Sequence, residues 1–380
     1  MRKSALFLLL LIFLFWSCKK KDDPPPVNPT TEVPVGLVLS LTGSFGPYGN
    51  IQQNGALLAI SEINSGLYIP NVRLKAWFQD DKSNPDTCRK VFRSLINENK
   101  VMCIIGPTSS NSAFQADTIA QNNQVIVLGI SNTVPGITEM GNYIFRNSLP
   151  ESGVIPNTVS VTHAKLGYSR IAIIYGNDDA YTIGAYEIFK TALESTAGIS
   201  IVQTETVKKG DTLFTDQLTR VKASNPDAII ITALVNEASK LMIQARQMDI
   251  PDTVRFIGGN NFNTSRLAQL AGSAAEGAIC GAAWIESEDT PGNAAFVLHY
   301  QQLFGTTPDQ FAAQAYTGIY LIANAISRAS SITPEGLRKA LAQTSQYPTI
   351  LGDFSFDQNR DPVHPPVVQV LSGGKFELFQ

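Results

Sequence analysis

Hydrophobic and polar positions along this chain follow two rhythms, and the change from one to the other repeats. Cys103 to Ser112, CIIGPTSSNS, and Val125 to Thr133, VIVLGISNT, are short β-branched apolar runs that stop at Gly and open into Ser, Thr and Asn. Such runs predict buried parallel strands. Their carboxyl ends deliver small hydroxyl and amide side chains, with free backbone N–H groups, to the sheet edge where open α/β sheets bind ligands. Ala113, Ala116, Ile119 and Ala120 between them repeat at helical spacing. Strand, helix and strand then set the two polar loops side by side as half of a small-molecule cleft.

The flanking sequence extends the same alternation. Val33 to Leu41 predicts a strand ending in the loop Thr42 to Gly49, and a helix follows with Ile51, Gly55, Leu58, Ala59 and Ile63 inward. Val72, Leu74, Ala76 and Phe78 alternate as a strand closing on Asp80-Asp81, and Cys88, Val91, Phe92, Leu95 and Ile96 form one buried helical face. A strand at Tyr143 to Arg146 completes this array. From Pro150 the pattern restarts, with strands at Ile171 to Tyr175, Ile199 to Val207, Ala228 to Thr232, Phe256 to Gly258 and Ala278 to Trp284. Two of these again open into polar loops, Gly176 to Tyr181 and Gly259 to Asn261. Helices over Ala294 to Phe304 and Phe311 to Ala329 follow, then a hairpin of Val367 to Leu371 and Phe376 to Phe379. Alternating strands and helices imply parallel sheets with right-handed crossovers. The expected fold is α/β: two Rossmann-like lobes with a ligand cleft between them.

The amino terminus reads as an address. Arg2 and Lys3 precede an apolar run from Ala5 to Trp16, which at about 1.5 Å per residue spans roughly 18 Å, short of the roughly 30 Å hydrocarbon core. Residues 1–17 are therefore expected to be a signal peptide. Ser17-Cys18 resembles a lipobox, which implies cleavage before Cys18 and a lipid anchor on it; the alternative is an ordinary secreted protein. Residues 18–32, with four prolines after the Lys-Lys-Lys-Asp-Asp run, predict an extended tether.

Composition narrows the chemistry. Charged residues make up 16% of the chain and the net charge is −3, which gives no basis for a nucleic-acid partner. Four cysteines without a C-x-x-C pair, and three histidines, offer neither a disulfide framework nor a zinc site, and no cofactor is expected. Cys88 and Cys103 are read either as facing one another or as buried free thiols. Ser131, in Gly129-Ile130-Ser131-Asn132-Thr133, lacks the last Gly of a nucleophile elbow, and no histidine lies in a catalytic context, so an enzyme is not expected. Asp357-x-Asn359-x-Asp361 begins like a calcium loop, but Pro362 stands at the Gly position, and a surface turn is expected.

The order of motifs resembles the branched-chain amino-acid (Leu/Ile/Val) binding proteins of ABC transporters, with the type I periplasmic-binding fold. The motifs are Leu41-Thr42-Gly43 with Tyr48-Gly49, Asn54-Gly55-Ala56, Glu62-Ile63-Asn64, Asp80-Asp81 and Ile105 to Ser110. They continue with Ser131-Asn132-Thr133, Tyr175 to Asp179, Gln244-Ala245-Arg246 and Ala274 to Gly277. The resemblance implies three crossovers, near Leu149, Ala283 and Gly352. Lobe 1 is then residues 33–149 and 284–351, and lobe 2 residues 150–283 and 352–380. It also implies that Ser110 and Thr133 offer hydroxyls, and Ser131 its backbone, to a ligand carboxylate, with Tyr48 and Tyr181 as opposite walls. Ser109, Asn132 and Asn260 complete the candidate set. There are departures. Asn260 stands where the family carries a Glu for the ligand ammonium, Leu234 replaces an aromatic, and the usual disulfide pair is Ser83 and Ser109. Asp178, Asp179 or Glu286 would have to replace that Glu, or the ligand is not an α-amino acid. The implied function is capture of a small carboxylate or amide for an ABC transporter permease, from a lipid anchor on the bacterial cell envelope. A receptor that signals to a partner is the alternative on the same fold.

Overall fold

The computed structural model describes residues 30–66 and 68–380. The expected signal peptide, Cys18 and most of the tether lie outside the described residues. Thr31 and Glu32, assigned above to the tether, already belong to the first strand. Among the described residues, no helix is long and apolar enough to cross a membrane.

The first half runs β1 (Thr31–Leu39), α1 (Gly46–Ser65), β2 (Val72–Asp80), α2 (Pro85–Asn97), β3 (Cys103–Ile105), α3 (Ser110–Asn122), β4 (Ile126–Gly129) and β5 (Ile144–Arg146). These strands form a parallel sheet in the order β2-β1-β3-β4-β5. Every residue of β3 and β4 is buried, which explains why their sequences are apolar without alternation. Cys103 packs on one face of this sheet and Cys88 on the other, and both are free thiols. Gly106, at the end of β3, has φ +106°, and a Cβ there would collide with the Val38 carbonyl oxygen. The stop at Gly is thus a requirement of backbone approach.

The second half contains α4 (Glu151–Leu166), β6 (Arg170–Gly176), α5 (Ala180–Glu194), β7 (Ser200–Val207), α6 (Thr215–Ala223), β8 (Ala228–Thr232), α7 (Val235–Gln247), β9 (Arg255–Gly258), α8 (Ser265–Ala271) and β10 (Ile279–Ala282). The chain then returns to the first lobe as α9 (Asn293–Phe304), α10 (Gln310–Arg328) and α11 (Pro334–Ala342), with α10 packed along α1. A small antiparallel sheet follows, of β11 (Tyr347–Thr349), β12 (Gly352–Phe356) and β13 (Pro362–Val363). The hairpin β14 (Val367–Ser372) and β15 (Lys375–Leu378) closes a seven-stranded sheet in the order β15-β14-β10-β9-β8-β6-β7. Its five core strands are parallel and β14 is antiparallel to β10.

The expected third crossover at Gly352 is corrected by this arrangement. Phe354 of β12 is buried in the first lobe's core with Phe145, and Phe356 meets Phe145 edge-on at 5.3 Å. Asp361 pairs with Arg146 of β5 at 2.6 Å. The chain therefore changes lobes between Val363 and Val367, and residues 352–361 belong with the first lobe. The alternation of Phe354 and Phe356 marks a strand but carries no sign of which core it faces. The helices α4, α8 and α11 and the small sheet were not anticipated. Asp357 accepts from the N–H groups of Asn359 and Asp361, so that segment is a self-bonded turn.

Candidate functional site

The carboxyl ends of six strands converge from both lobes. The cleft there is lined by Phe45, Tyr48, Thr108, Ser110, Ser131 and Thr133 of the first lobe and Tyr181, Leu234, Asn260 and Asn261 of the second, with Gln310, Phe311 and Gln314 of α10. About 440 Å³ of empty space lies in the cleft and at its mouth, open solvent included, and no charged side chain lines it. Phe45, Tyr48 and Phe311 make an aromatic wall, the last two with ring centroids 4.9 Å apart.

The polar loops are braced from behind. Thr108 Oγ1 accepts from the Ser40 N–H and donates to Gln52 Oε1, while Gln52 Nε2 donates to Ser131 Oγ at 2.7 Å. Ser131 Oγ in turn donates to the Thr108 carbonyl oxygen at 2.7 Å. This ring locks the loops after β3 and β4 to each other and to α1. Asp80 holds the loop after β1 by accepting from the N–H groups of Leu41, Thr42 and Lys82. Ser83 Oγ joins the same loop, accepting from Phe45 N–H and donating to the Thr42 carbonyl oxygen.

Six of the eight residues expected at the site line the cleft: Tyr48, Ser110, Ser131, Thr133, Tyr181 and Asn260. Ser109 and Asn132 do not. Ser109 is the N-cap of α3 and accepts from the Ser112 N–H. Asn132 is fully buried and donates to the Pro107 carbonyl oxygen. The Ser109 hydroxyl is committed to capping its own helix, and the Asn132 amide is drawn inward against the loop after β3, so neither faces the cleft. Ser131 presents no free hydroxyl, since both of its bonds go to the brace, and none of the three histidines is bonded to it.

Three buried polar atoms in the cleft have no partner: Ser110 Oγ, Thr133 Oγ1 and Asn260 Oδ1. Buried polar groups are ordinarily paired, so these mark where a ligand's polar groups fit. Ser110 also opens α3, whose first N–H groups have no intrahelical acceptors and carry the positive end of the helix dipole. The two lobes touch across the cleft. Tyr48 Oη accepts from the Val235 N–H at 2.8 Å, capping α7, which has no side-chain cap of its own. Burial pushes the Tyr48 hydroxyl well above its ordinary pKa, so it stays protonated. Asn111 of α3 accepts from the Ala180 N–H and donates to Asp179, the N-cap of α5.

Sequence reasoning missed Phe45, Thr108, Asn261 and the three residues of α10. Gln310 and Gln314 carried a readable signal, since two amides at i and i+4 interrupt the otherwise apolar first turns of α10. Gln310 Oε1 accepts from the Ala283 N–H, and its Nε2 donates to the Asn260 carbonyl oxygen at 3.0 Å.

Two α/β lobes, strand ends facing a neutral cleft and closure by cross-lobe hydrogen bonds define a protein built to enclose a small solute. The chain belongs to the periplasmic binding protein family, whose profile matches residues 32–375. It is similar to a leucine-, isoleucine-, valine-, threonine- and alanine-binding protein of Pseudomonas aeruginosa, 26% identical over 331 residues and 87% of each chain. It is likewise similar to a leucine-specific-binding protein of Salmonella typhimurium, 24% identical over 92% of this chain and 90% of the relative. Among solved structures, the branched-chain amino-acid transporter substrate-binding protein LivJ of Streptococcus pneumoniae, in complex with isoleucine, superposes with a TM-score of 0.85. That pair is 28% identical and covers 91% of this chain and 98% of the other. A benzoate-bound solute-binding protein of an ABC transporter from R. palustris shares the fold alone, with a TM-score of 0.83, 21% identity and coverage of 92% and 95%. The fold class and family resemblance drawn from the sequence hold, and these relatives are binding proteins rather than enzymes.

Proposed function

We propose that this protein captures a small amino acid or related carboxylate between its lobes and delivers it to an ABC transporter permease. Cys18 would hold it by a lipid anchor on the outer side of a bacterial membrane. The observation that carries the reading is the set of unpartnered atoms, Ser110 Oγ and Thr133 Oγ1 facing Asn260 Oδ1 in a cleft without charged walls. A ligand carboxylate would take the two hydroxyls and the first-turn N–H groups of α3, and its body would lie against Phe45, Tyr48 and Phe311. Charge-assisted bonds of this kind contribute roughly 1.5 to 3 kcal/mol each. The ligands named for the Pseudomonas and Streptococcus relatives, leucine, isoleucine, valine, threonine and alanine, are uncharged in their side chains and suit a cleft with neutral walls.

Thermal shift and isothermal titration calorimetry with aliphatic amino acids, aromatic amino acids and benzoates test the reading. A saturable midpoint increase with one of these classes, weakened by Ser110→Ala, supports it. No stabilisation by any of them at millimolar concentration refutes it. Labelling with radioactive palmitate, lost in Cys18→Ala, tests the anchor.

A further inference from the structure

Position 260 presents an amide to the cleft, and a buried carboxyl group lies one layer behind it. Of the acidic residues weighed from the sequence, Asp178 is exposed and bonds to Lys209. Asp179 caps α5 and pairs with Lys209 at 3.5 Å. Glu286 lines a separate groove beside Lys375 and Leu378. None of them lines the cleft.

Glu151, the first residue of α4 on the first crossover, is only 1% exposed. Its backbone N–H donates to the Thr133 carbonyl oxygen at 3.2 Å, and its Oε1 accepts from the Asn260 N–H at 3.3 Å. It packs so closely on Gly259 that a Cβ there would stand 2.9 Å from Oε2. Oε2 itself has no partner, and Glu151 belongs to none of the ion pairs of the described residues. Meanwhile Asn260 is fixed by other bonds. Its Nδ2 points to the Leu149 carbonyl oxygen at 3.5 Å and its own carbonyl accepts from Gln310, while Oδ1 has no partner and is the atom left for the cleft. An acceptor with a carboxyl group behind it that no cation pairs suits a cationic donor and disfavours an anion.

Resting on the cleft's role as the ligand site, we propose that Glu151 is the counter-charge for a ligand ammonium seated at Asn260 Oδ1, which makes the ligand an α-amino acid rather than a carboxylate lacking an amine. Glu151 acts as a positioning residue through Asn260 and the local field, not through contact. Burial holds its carboxyl up, at about 7, and an ammonium close by would draw it down. The titratable groups facing it are Tyr181 from α5 and Cys280 from β10, both kept neutral by burial. Amino-acid affinity therefore rises as pH climbs through about 7, while affinity for an amine-free analogue does not.

Calorimetry with matched pairs, leucine against 4-methylpentanoate and phenylalanine against 3-phenylpropanoate, tests this on the full protein at pH 6 and pH 8. The wild type is expected to prefer the amino acid of a pair, and Glu151→Gln to lose about tenfold to hundredfold of that affinity and its pH dependence. The same change leaves the amine-free partner's affinity unaltered, and Glu151→Asp restores part of the loss. Should Glu151→Gln fail to fold, the Asp variant and the wild-type pH profile carry the test. Equal binding of both members of a pair, or an amino-acid affinity indifferent to Glu151→Gln and to pH, overturns the inference. If an amine-free acid binds best and Ser110→Ala weakens it, the inference fails while the cleft reading stands. If no probe responds to Ser110→Ala, the cleft reading fails and takes the inference with it.

Discussion

Asn111→Ala separates closure of the lobes from contact with the ligand. Asn111 does not line the cleft, yet it spans it: Nδ2 donates to Asp179 Oδ2 at 2.7 Å and Oδ1 accepts from the Ala180 N–H at 3.1 Å. One of these bonds is charge-assisted, with a buried carboxylate that keeps its bonds to the N–H of Tyr181 and to Lys209 when Asn111 is removed. A neutral bond contributes about 0.5–1.5 kcal/mol and one to a charge about 1.5–3 kcal/mol; because Asn111 is half-buried and Asp179 keeps other partners, the closed form should lose about 1.5–3 kcal/mol in all. At 1.4 kcal/mol per decade, that is roughly 10- to 150-fold in the closing equilibrium. If the unliganded protein is mostly open, the dissociation constant rises by that whole factor; if it is mostly closed, part is absorbed before affinity falls. Titration calorimetry reads the affinity and small-angle scattering reads the compaction. An affinity within twofold of wild type, with normal compaction, would show that the contact does not hold the closed form.

Other perturbations test different layers. Ser110→Ala and Thr133→Ala should each weaken ligand binding by about 1–3 kcal/mol with an unchanged unliganded thermal midpoint, measured by calorimetry and circular dichroism. Gly106→Ala should destabilise by more than about 3 kcal/mol in denaturant titration, because its φ is positive and its Cβ would meet Val38. Asp117 of α3 is fully buried with both carboxylate oxygens unpartnered, and burial raises its pKa well above the ordinary value. The folded chain keeps a proton that the unfolded chain releases, so this group's stabilisation is complete below about pH 4 and declines as pH rises toward the folded value. Asp117→Asn should flatten that slope between pH 5 and pH 8 in urea unfolding; an unchanged slope would refute the assignment.

The sequence told more about the frame than about what faces the ligand. Continuous β-branched runs such as Cys103–Ile105 and Ala228–Thr232 are legible because a strand buried on both faces must be apolar throughout, and here both are. The polar loop ends are legible for the same reason, since Gly marks where the backbone turns out of the sheet. Which side chain of Thr108-Ser109-Ser110 looks outward is not legible. All three are small and hydroxylated, and their partners divide the roles: distant Gln52 takes the Thr108 hydroxyl, the adjoining α3 terminus takes Ser109, and the Ser110 hydroxyl is left over. The lobe assignment of residues 352–361 failed because its partners, Phe145 for Phe356 and Arg146 for Asp361, lie more than two hundred residues earlier. Phe311 and the glutamines of α10 arrive by tertiary packing against α1.

The placement of charge follows from a competition that the cleft must balance. A charged group on the wall would bind an opposite charge strongly but would itself be desolvated when the lobes close without ligand, at a cost of several kcal/mol. Neutral hydroxyls and an amide avoid that cost, because each can remain unpaired at only about 1–3 kcal/mol. On the proposed reading, two features then restore selectivity without placing ions on the wall. The dipole of α3 ends at Ser110, and the buried carboxyl of Glu151 sits behind Asn260, able to hold a proton while no cation is near. Closure is helped by a contact outside the lining, at Asn111, beside the lining residue Gln310 that bonds the Asn260 carbonyl oxygen. Tyr48 and Gln310 serve both wall and closure, whereas Asn111 serves closure alone, which is why its removal separates the two.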